Sequence, residues 1–255
     1  MVREELLKKT VDIIAASDYV VAFTGAGIST ESGIPDFRSP GGLWTQYDPQ
    51  EYATYKAFLA NPAKYWTMAK EVRKVIMEAK PNAAHNALAI LENKFNKLKT
   101  VITQNIDYLH TVAGNSQVLE LHGTYQWNYC MICKSKYTFL EVKKLLDREM
   151  IPPLCSCGGV IKSSSILFGE SLPQQVVHKA NLEVQKCDCL IVIGSSLQIQ
   201  PAASLPFVAA SHGSRIIIIN REPTYLDYLA EVVLHDDASI LLTNIIERLN
   251  KLQPD

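Results

Sequence analysis

The sequence predicts an α/β fold, a doubly wound parallel sheet that carries a second, smaller domain, and three observations predict it. Five short apolar runs, Tyr19–Thr24, Thr100–Thr103, Cys189–Gly194, Arg215–Asn220 and Glu231–His235, have the near-continuous hydrophobicity of strands buried on both faces. Helical patterns at Glu4–Ala16, Ala83–Phe95, Pro173–Gln185 and Ile240–Leu252 lie between or beside them, the alternation of a doubly wound sheet. Two stretches break that alternation. Residues 37–79 hold no obvious strand but include a helix-like segment, Pro62–Glu78, and residues 126–169 hold short polar segments, two cysteine pairs and a helix near Phe139–Asp147. As insertions into the sheet domain they build a smaller domain and leave a cleft where the two meet, the usual place for a ligand.

Composition sets the outer limits. A chain of 255 residues buries one large core or a large and a small one, and 47% hydrophobic with 20% charged residues is ordinary for a globular protein. The formal net charge of -1 gives no global basic field, so direct nucleic-acid binding is not expected beyond a local patch. No apolar run reaches the roughly 18 residues of a membrane span, and the first twenty residues read as a helix and not as a signal peptide. The expected address is the cytoplasm, with no membrane partner.

The first strand-like run leads into Gly25-Ala26-Gly27-Ile28-Ser29. Glycines let backbone N–H groups approach a pyrophosphate, and the start of a following helix favours negative charge. The dinucleotide fingerprint G-x-G-x-x-G is imperfect here, because the next glycine, Gly33, comes three places late and no acidic residue is evident after the second strand. A tight strand-to-helix turn without a ligand fits the same residues. Gly194-Ser195-Ser196 and Asn220 also end apolar runs, at the carboxyl edge where open α/β sheets bind ligands, and their side chains suit phosphate and ribose. Singly each reads equally as a helix cap; three such edges together favour a ligand.

The six cysteines come as three close pairs. Cys130-x2-Cys133 and Cys155-x-Cys157 are spaced for a tetrahedral zinc held by four thiolates, with Gly158-Gly159 supplying the free backbone of a knuckle. Four cysteine ligands leave no open position, so that metal is structural. Buried free thiols are the other reading. Cys187 and Cys189 flank Asp188 at the start of a buried strand; period-two spacing puts both on one face, as small core residues.

Thr103-Gln104-Asn105-Ile106-Asp107 places three polar side chains at a strand end, more than capping explains. Val118–Leu121 leads to His122-Gly123, and a histidine at such an edge is a general-base candidate because it titrates near neutrality. Taken alone His122 reads as readily as structural, like His85, His110, His178, His212 and His235. Gly33-Ile34-Pro35-Asp36-Phe37-Arg38 suits a lid over a charged ligand, or an ordinary surface loop.

Together GAGIS at 25–29, GIPDFR at 33–38, TQNID at 103–107, HG at 122–123, the cysteine pairs, FGE at 168–170 and GSS at 194–196 resemble the sirtuins, in the family's order and over residues 10–250. The resemblance implies a Rossmann-type parallel sheet with helices on both faces (residues 1–36, 80–125 and 170–255), plus a smaller domain made of a helical module (37–79) and a zinc-binding module (126–169). It implies deacylation of acetylated proteins or peptides with NAD as co-substrate and one structural Zn2+. NAD would lie against Gly25, Ala26 and Gly27, with Gly194, Ser195 and Ser196 at phosphate and ribose, Asn220 at the adenine-side ribose, and Ser29, Arg38 and Ala238 also in contact. Asp107 and the backbone of Ile106 would hold the carboxamide of nicotinamide, Phe37 would guard its pocket, and Gln104 and Asn105 would position the other ribose and a water. After the acyl oxygen displaces nicotinamide, His122 would act as base toward the ribose hydroxyls, giving free lysine and O-acyl-ADP-ribose. The peptide would enter as an added strand between Phe168-Gly169-Glu170 and the segment at Gln198–Gln200, with Ile166 and Phe168 lining the lysine tunnel.

Three departures from the family pattern stand out. Cys155-Ser156-Cys157 is shorter than C-x-x-C, and Lys162-Ser163 stands where many members have Arg-Pro. Ala69 and Val72 occupy the places of the Tyr-x-x-Arg pair found in members that remove succinyl or malonyl groups, which implies acetyl or longer neutral acyl groups here. An ADP-ribosyltransferase in the same pocket, a zinc-bearing module that senses NAD or docks on chromatin, and a hydride-transfer dehydrogenase are the competing readings; the last leaves the cysteines and the peptide edge unexplained.

Overall fold

The structure, a computed structural model, describes residues 2–36, 42 and 45–252. Among these the strands are β1 (Val20–Thr24), β2 (Leu98–Thr103), β3 (Val118–Glu120), β4 (Trp127–Cys130), β5 (Lys136–Thr138), β6 (Ile161–Ser163), β7 (Cys189–Ile193), β8 (Arg215–Ile219) and β9 (Val232–Leu234). The α-helices are α1 (Val2–Ala16), α2 (Pro49–Tyr52), α3 (Tyr55–Ala60), α4 (Pro62–Glu78), α5 (Ala83–Asn93), α6 (Leu109–Ala113), α7 (Phe139–Asp147), α8 (Gln174–Lys186), α9 (Leu205–Ser211) and α10 (Ala238–Leu252).

Six strands form one sheet in the order β3-β2-β1-β7-β8-β9, every neighbouring pair parallel. The strand pattern explains why. Val20, Ala22, Cys189, Ile191, Ile193, Ile217 and Ile219 enter one core, against α1, α5 and α10. The alternate residues Val21, Phe23, Leu190, Val192, Ile216 and Ile218 enter a second core, against α8 and α9. Each central strand is therefore apolar on both faces, and helices must cover both.

One expectation fails here. Cys189 lies in the first core and Cys187 in the second, so the two thiols do not share a face. Cys187 is the C-cap of α8 and precedes the strand, so the strand's period of two does not extend to it. Both are buried, as expected of small core residues.

A second sheet, antiparallel and ordered β5-β4-β6, belongs to the segment read as short and polar. Its central strand buries Asn128 and Cys130 and exposes Trp127 and Tyr129, so no apolar alternation marks it. It shares a third core with α4 and α7, centred on Trp66, whose indole Nε1 donates to the Ile161 carbonyl at 2.8 Å. Arg73 of α4 is buried in the same contact. Its guanidinium lies 4.2 Å from the centre of the Phe139 ring and donates to Asn128 Oδ1 (3.3 Å) and the Phe139 carbonyl (3.4 Å). Burial without a carboxylate in these contacts pulls its pKa down to about 10. Arg73→Lys keeps the charge but loses the planar fork and the stacking; a loss of about 1–2 kcal/mol is expected in urea unfolding, and an unchanged midpoint would remove this strut.

Candidate functional site

The chain order of the large sheet reverses between β1 and β7, and ligands in such sheets bind outside the carboxyl ends at that point. Gly25 follows β1 and Gly194 follows β7, and the two turns pack on each other. Gly25 N donates to the Ile193 carbonyl (3.0 Å) and Gly27 N to that of Gly194 (2.9 Å). A Cβ on Gly25 would meet Gly194 O at 2.7 Å; one on Gly194, where φ is +60°, would meet Ile28 N at 2.3 Å. These glycines are thus required by backbone packing, and with two amides taken, the Ala26 amide has no backbone partner among the described residues. The element that follows is a 3-10 helix, Ala26–Ser32, and Gly33 at φ 83° is its left-handed cap. That cap explains the late glycine of the imperfect fingerprint. Gly194→Ala is expected to cost roughly 2–4 kcal/mol of stability, since backbone blocks the new methyl at an unfavourable φ; a midpoint within error of wild type would contradict this packing.

The polar run after β2 is locked to these turns. Gln104 Nε2 donates to Ser195 Oγ at 2.8 Å, tying the end of β2 to the end of β7. Asn105 Nδ2 donates to Gly25 O (3.2 Å) and Ser29 Oγ (3.0 Å), and Ser29 Oγ donates to Asp107 Oδ2 at 2.7 Å. The other carboxylate oxygen of Asp107 accepts the Leu109 amide at 2.9 Å. His122 Nδ1 is 2.8 Å from the Gln104 carbonyl. A carbonyl only accepts, so Nδ1 carries the proton and Nε2 presents its lone pair. Burial lowers the pKa of His122 below its ordinary 6.5 more than that bond raises it, and the ring is neutral at pH 7. Burial also brings His85 down to about 4 and His110 well below its ordinary value; His85 packs against Ser29 and His110 against Thr24, which fits their structural reading.

These groups face one cavity of about 1830 Å³, larger than the ~300–1,000 Å³ of a drug-sized site. Every non-cysteine site residue predicted from the sequence lines it, except Phe37 and Arg38, which lie outside the described residues. Asn220, Ala238, Ile106, His122, Ile166, Phe168, Gly169, Glu170 and Gln198 all line it. The Asn220 amide already donates to Glu222 O at 2.6 Å, which leaves its Oδ1 to meet a ligand hydroxyl.

The four cysteines stand apart from the cavity lining. Their sulfurs all lie within 4.8 Å of one another, with Cys130–Cys157 at 3.5 Å and Cys133–Cys155 at 3.6 Å. A tetrahedron with Zn–S bonds of ~2.3 Å has S–S edges of about 3.8 Å, so this donor set fits zinc. Tyr137 donates to Cys155 Sγ at 2.9 Å, orienting the thiolate. The short C-x-C is accommodated by a turn in which Gly158 takes φ +82° and Gly159 passes so close that a Cβ would meet Cys130 Sγ at 2.6 Å.

The Sir2 family model matches residues 25–201. The chain belongs to the Sir2 family. It is 45% identical over 247 residues to an NAD-dependent protein deacetylase of Thermodesulfovibrio yellowstonii, covering 95% of each chain. It is 42% identical over 253 residues to NAD-dependent protein deacylase 2 of Archaeoglobus fulgidus, covering 99% of each. A solved Sir2 structure with a deacetylated p53 peptide and 3'-O-acetyl ADP ribose matches with a TM-score of 0.91 at 38% identity, covering 95% of this chain and 98% of that one.

In this Sir2 family member the loop at 166–170 carries details the motifs do not reveal. Phe168 donates its N–H to Ala53 O and accepts from Tyr55 N, both at 2.9 Å, so its backbone N–H and C=O are both engaged by the segment around α3. Ile166 N donates to the His122 carbonyl at 2.8 Å, which fixes this part of the cavity lining to the histidine. Glu120, which the sequence reading passed over, has its pKa raised by burial to about 7; its nearest sequence signal is its place two residues before His122.

Proposed function

We propose that this chain removes acetyl or longer neutral acyl groups from lysine side chains of proteins, with NAD as co-substrate, and that residues 37–79 and 126–169 are the small domain set on a Rossmann-type domain of residues 1–36, 80–125 and 170–255. The observation that carries it is the single cavity in which the glycine turns, the Gln104–Asp107 wall, His122 and the FGE loop meet in a Sir2 family chain. The separation of the cores into two on the sheet and one joining α4 with the cysteine module supports the domain division.

When bound, NAD supplies an electrophilic ribose carbon and hydroxyls that take the acyl group from lysine as nicotinamide departs. The Ala26 amide and Ser195 face its phosphates and Asn220 its adenine-side ribose. Asp107, held by Ser29 and Leu109, receives the nicotinamide amide, and Asn105 Oδ1 orients water or ribose. His122 Nε2 takes the proton from a ribose hydroxyl, its ring aimed by the Gln104 carbonyl. Holding all of these in one enclosure converts the encounter into an intramolecular reaction. Solved structures of relatives with p53 peptide and NAD+, and of Sir2Af2 with a myristoylated histone peptide, support an acylated peptide as the partner. The four cysteines would hold zinc as a structural centre.

The deciding experiment follows the mass of an acetyl-lysine peptide together with free nicotinamide, with and without NAD. Acetyl loss equal to nicotinamide release, and none without NAD, is the expected result. Nicotinamide release with the peptide unchanged or gaining mass would replace this reading with NAD hydrolysis or ADP-ribosyl transfer. The acyl preference has its own test. Ala69, Val72 and Arg73 line the cavity with Tyr65 and Met68, and the Arg73 guanidinium is held by Asn128 Oδ1 and the Phe139 carbonyl. With Arg73 so engaged and no Tyr-x-x-Arg pair at 69 and 72, an acidic acyl end lacks a dedicated partner, so acetyl-lysine is expected to exceed succinyl-lysine in kcat/KM by more than about tenfold. The reverse order would overturn the neutral-pocket reading. No helix among the described residues is long and apolar enough to cross a membrane.

A further inference from the structure

Lys162 is a buried ammonium in the middle of β6, only 7% exposed. Lysine at such a place is expensive to bury and needs its three N–H donors satisfied. Here all three are: Nζ donates to Ser163 O (3.1 Å), Ser165 O (2.9 Å) and Glu170 Oε2 (2.9 Å). Glu170 is itself engaged twice, because Oε2 also accepts the Leu167 amide at 2.7 Å and its own N–H donates to Leu167 O at 3.0 Å. One cation therefore clasps the base, the middle and the tip of the segment 163–170. That segment holds Ile166, bonded to the His122 carbonyl, and Phe168, bonded to Ala53 and Tyr55. It turns at Gly169, where φ is +84°. The backbone that would pair with substrate is thus suspended between two fixed points and the Lys162–Glu170 pair.

We propose that Lys162 is a positioning residue for substrate: through Glu170 it sets the height and register of the peptide-pairing edge, and with it the depth at which an acyl-lysine reaches His122. This rests on the deacylase reading above. The direct bonds of the pair all fall on the segment 163–170. The glycine turns and Gln104 are fixed by their own bonds to β7, none of which passes through Lys162. An ammonium buried in this way has a consequence for substitution as well. Removing Glu170 alone leaves an uncompensated buried cation, whereas replacing both partners by apolar side chains of similar length leaves none, and such exchanges are often neutral for stability.

The test compares wild type, Lys162→Met, Lys162→Arg and the double variant Lys162→Met/Glu170→Met, each as full chain. A fluorescein-labelled acetyl-lysine peptide gives Kd by anisotropy, and steady-state kinetics give KM for peptide and for NAD. Lys162→Met and the double variant are expected to raise peptide Kd and KM about tenfold or more, since ångström-scale misplacement is that damaging, while KM for NAD stays within about twofold. Lys162→Arg is expected to restore peptide KM to within about threefold, because a guanidinium reaches the same oxygens. If Lys162→Met fails to fold, the double variant decides. A folded double variant with unchanged peptide Kd overturns the proposal, and so does a rise in NAD KM equal to that for peptide. Should wild type bind peptide without turnover, the deacylase reading falls while the Kd comparison still judges Lys162.

Discussion

His122→Ala is expected to lower deacetylation kcat by about 10²–10⁴-fold, the usual contribution of a positioned base, with KM for NAD changed by only a few fold. The split follows from position. His122 lines the cavity and is hydrogen-bonded through its Nδ1 to the Gln104 carbonyl and through its own carbonyl to Ile166 N, so its Nε2 has no structural duty. The variant should therefore fold, with a melting temperature within a few degrees of wild type. A His122→Ala protein that keeps a tenth or more of wild-type kcat would remove the base assignment. The pH profile gives an independent reading. Burial lowers the pKa of His122, so its neutral, proton-accepting form persists below the ordinary 6.5 and is lost only as pH falls through that lower value. The acid limb of kcat/KM is expected below pH 6.5 and should vanish from the residual rate of His122→Ala. An acid limb centred above pH 7 in wild type would assign the titration to another group, with Glu120 the first to examine.

The large sheet was legible because its physics is local. Strands such as Val20–Thr24 and Cys189–Ile193 are buried on both faces, so their hydrophobicity is continuous and their ends fall where it stops. The helices α4 and α7 were legible to the residue for a different reason. Asn61 caps α4 with Pro62 at its first turn, and Thr138 with Glu141 forms a capping box on α7. The antiparallel sheet was not legible, because Ile161 is the one aliphatic side chain among its buried positions; the others, Asn128, Cys130, Lys162 and Ser163, are residues whose burial depends on partners distant in sequence. The site divides in the same way. Motif order brought its residues together, but the bonds that decide what each can do are long-range. The motif gives Gly25 and Gly27 as phosphate donors, whereas their amides belong to β7 and its turn. It gives Phe168 as a peptide edge, whereas Ala53 and Tyr55 hold that backbone. Cys187 missed its face because it is itself the C-cap of α8 and lies before the strand, which begins at Cys189.

Removal of zinc is expected to unfold the cysteine module while the large sheet persists. The three-stranded sheet has strands of three or four residues, and its shared core includes the ligands Cys130 and Cys155 themselves. Sheets this short do not stand alone in water. Structural zinc contributes on the order of 10 kcal/mol in small zinc peptides, comparable with the whole stability of a domain, so nothing else in the module can offset its loss. Because β6 carries Lys162 and runs into the FGE loop, disorder in the module reaches the peptide edge although no cysteine lines the cavity. Elemental analysis should find one zinc per chain. Chelation, or Cys130→Ser, should abolish amide protection over residues 127–163, abolish peptide turnover, and leave protection in β1, β7 and β8 in place. Retained protection over 127–163 in a zinc-free protein would show that packing against Trp66 and Arg73 suffices and that the metal is dispensable. Loss of protection throughout would show instead that the two domains unfold as one unit.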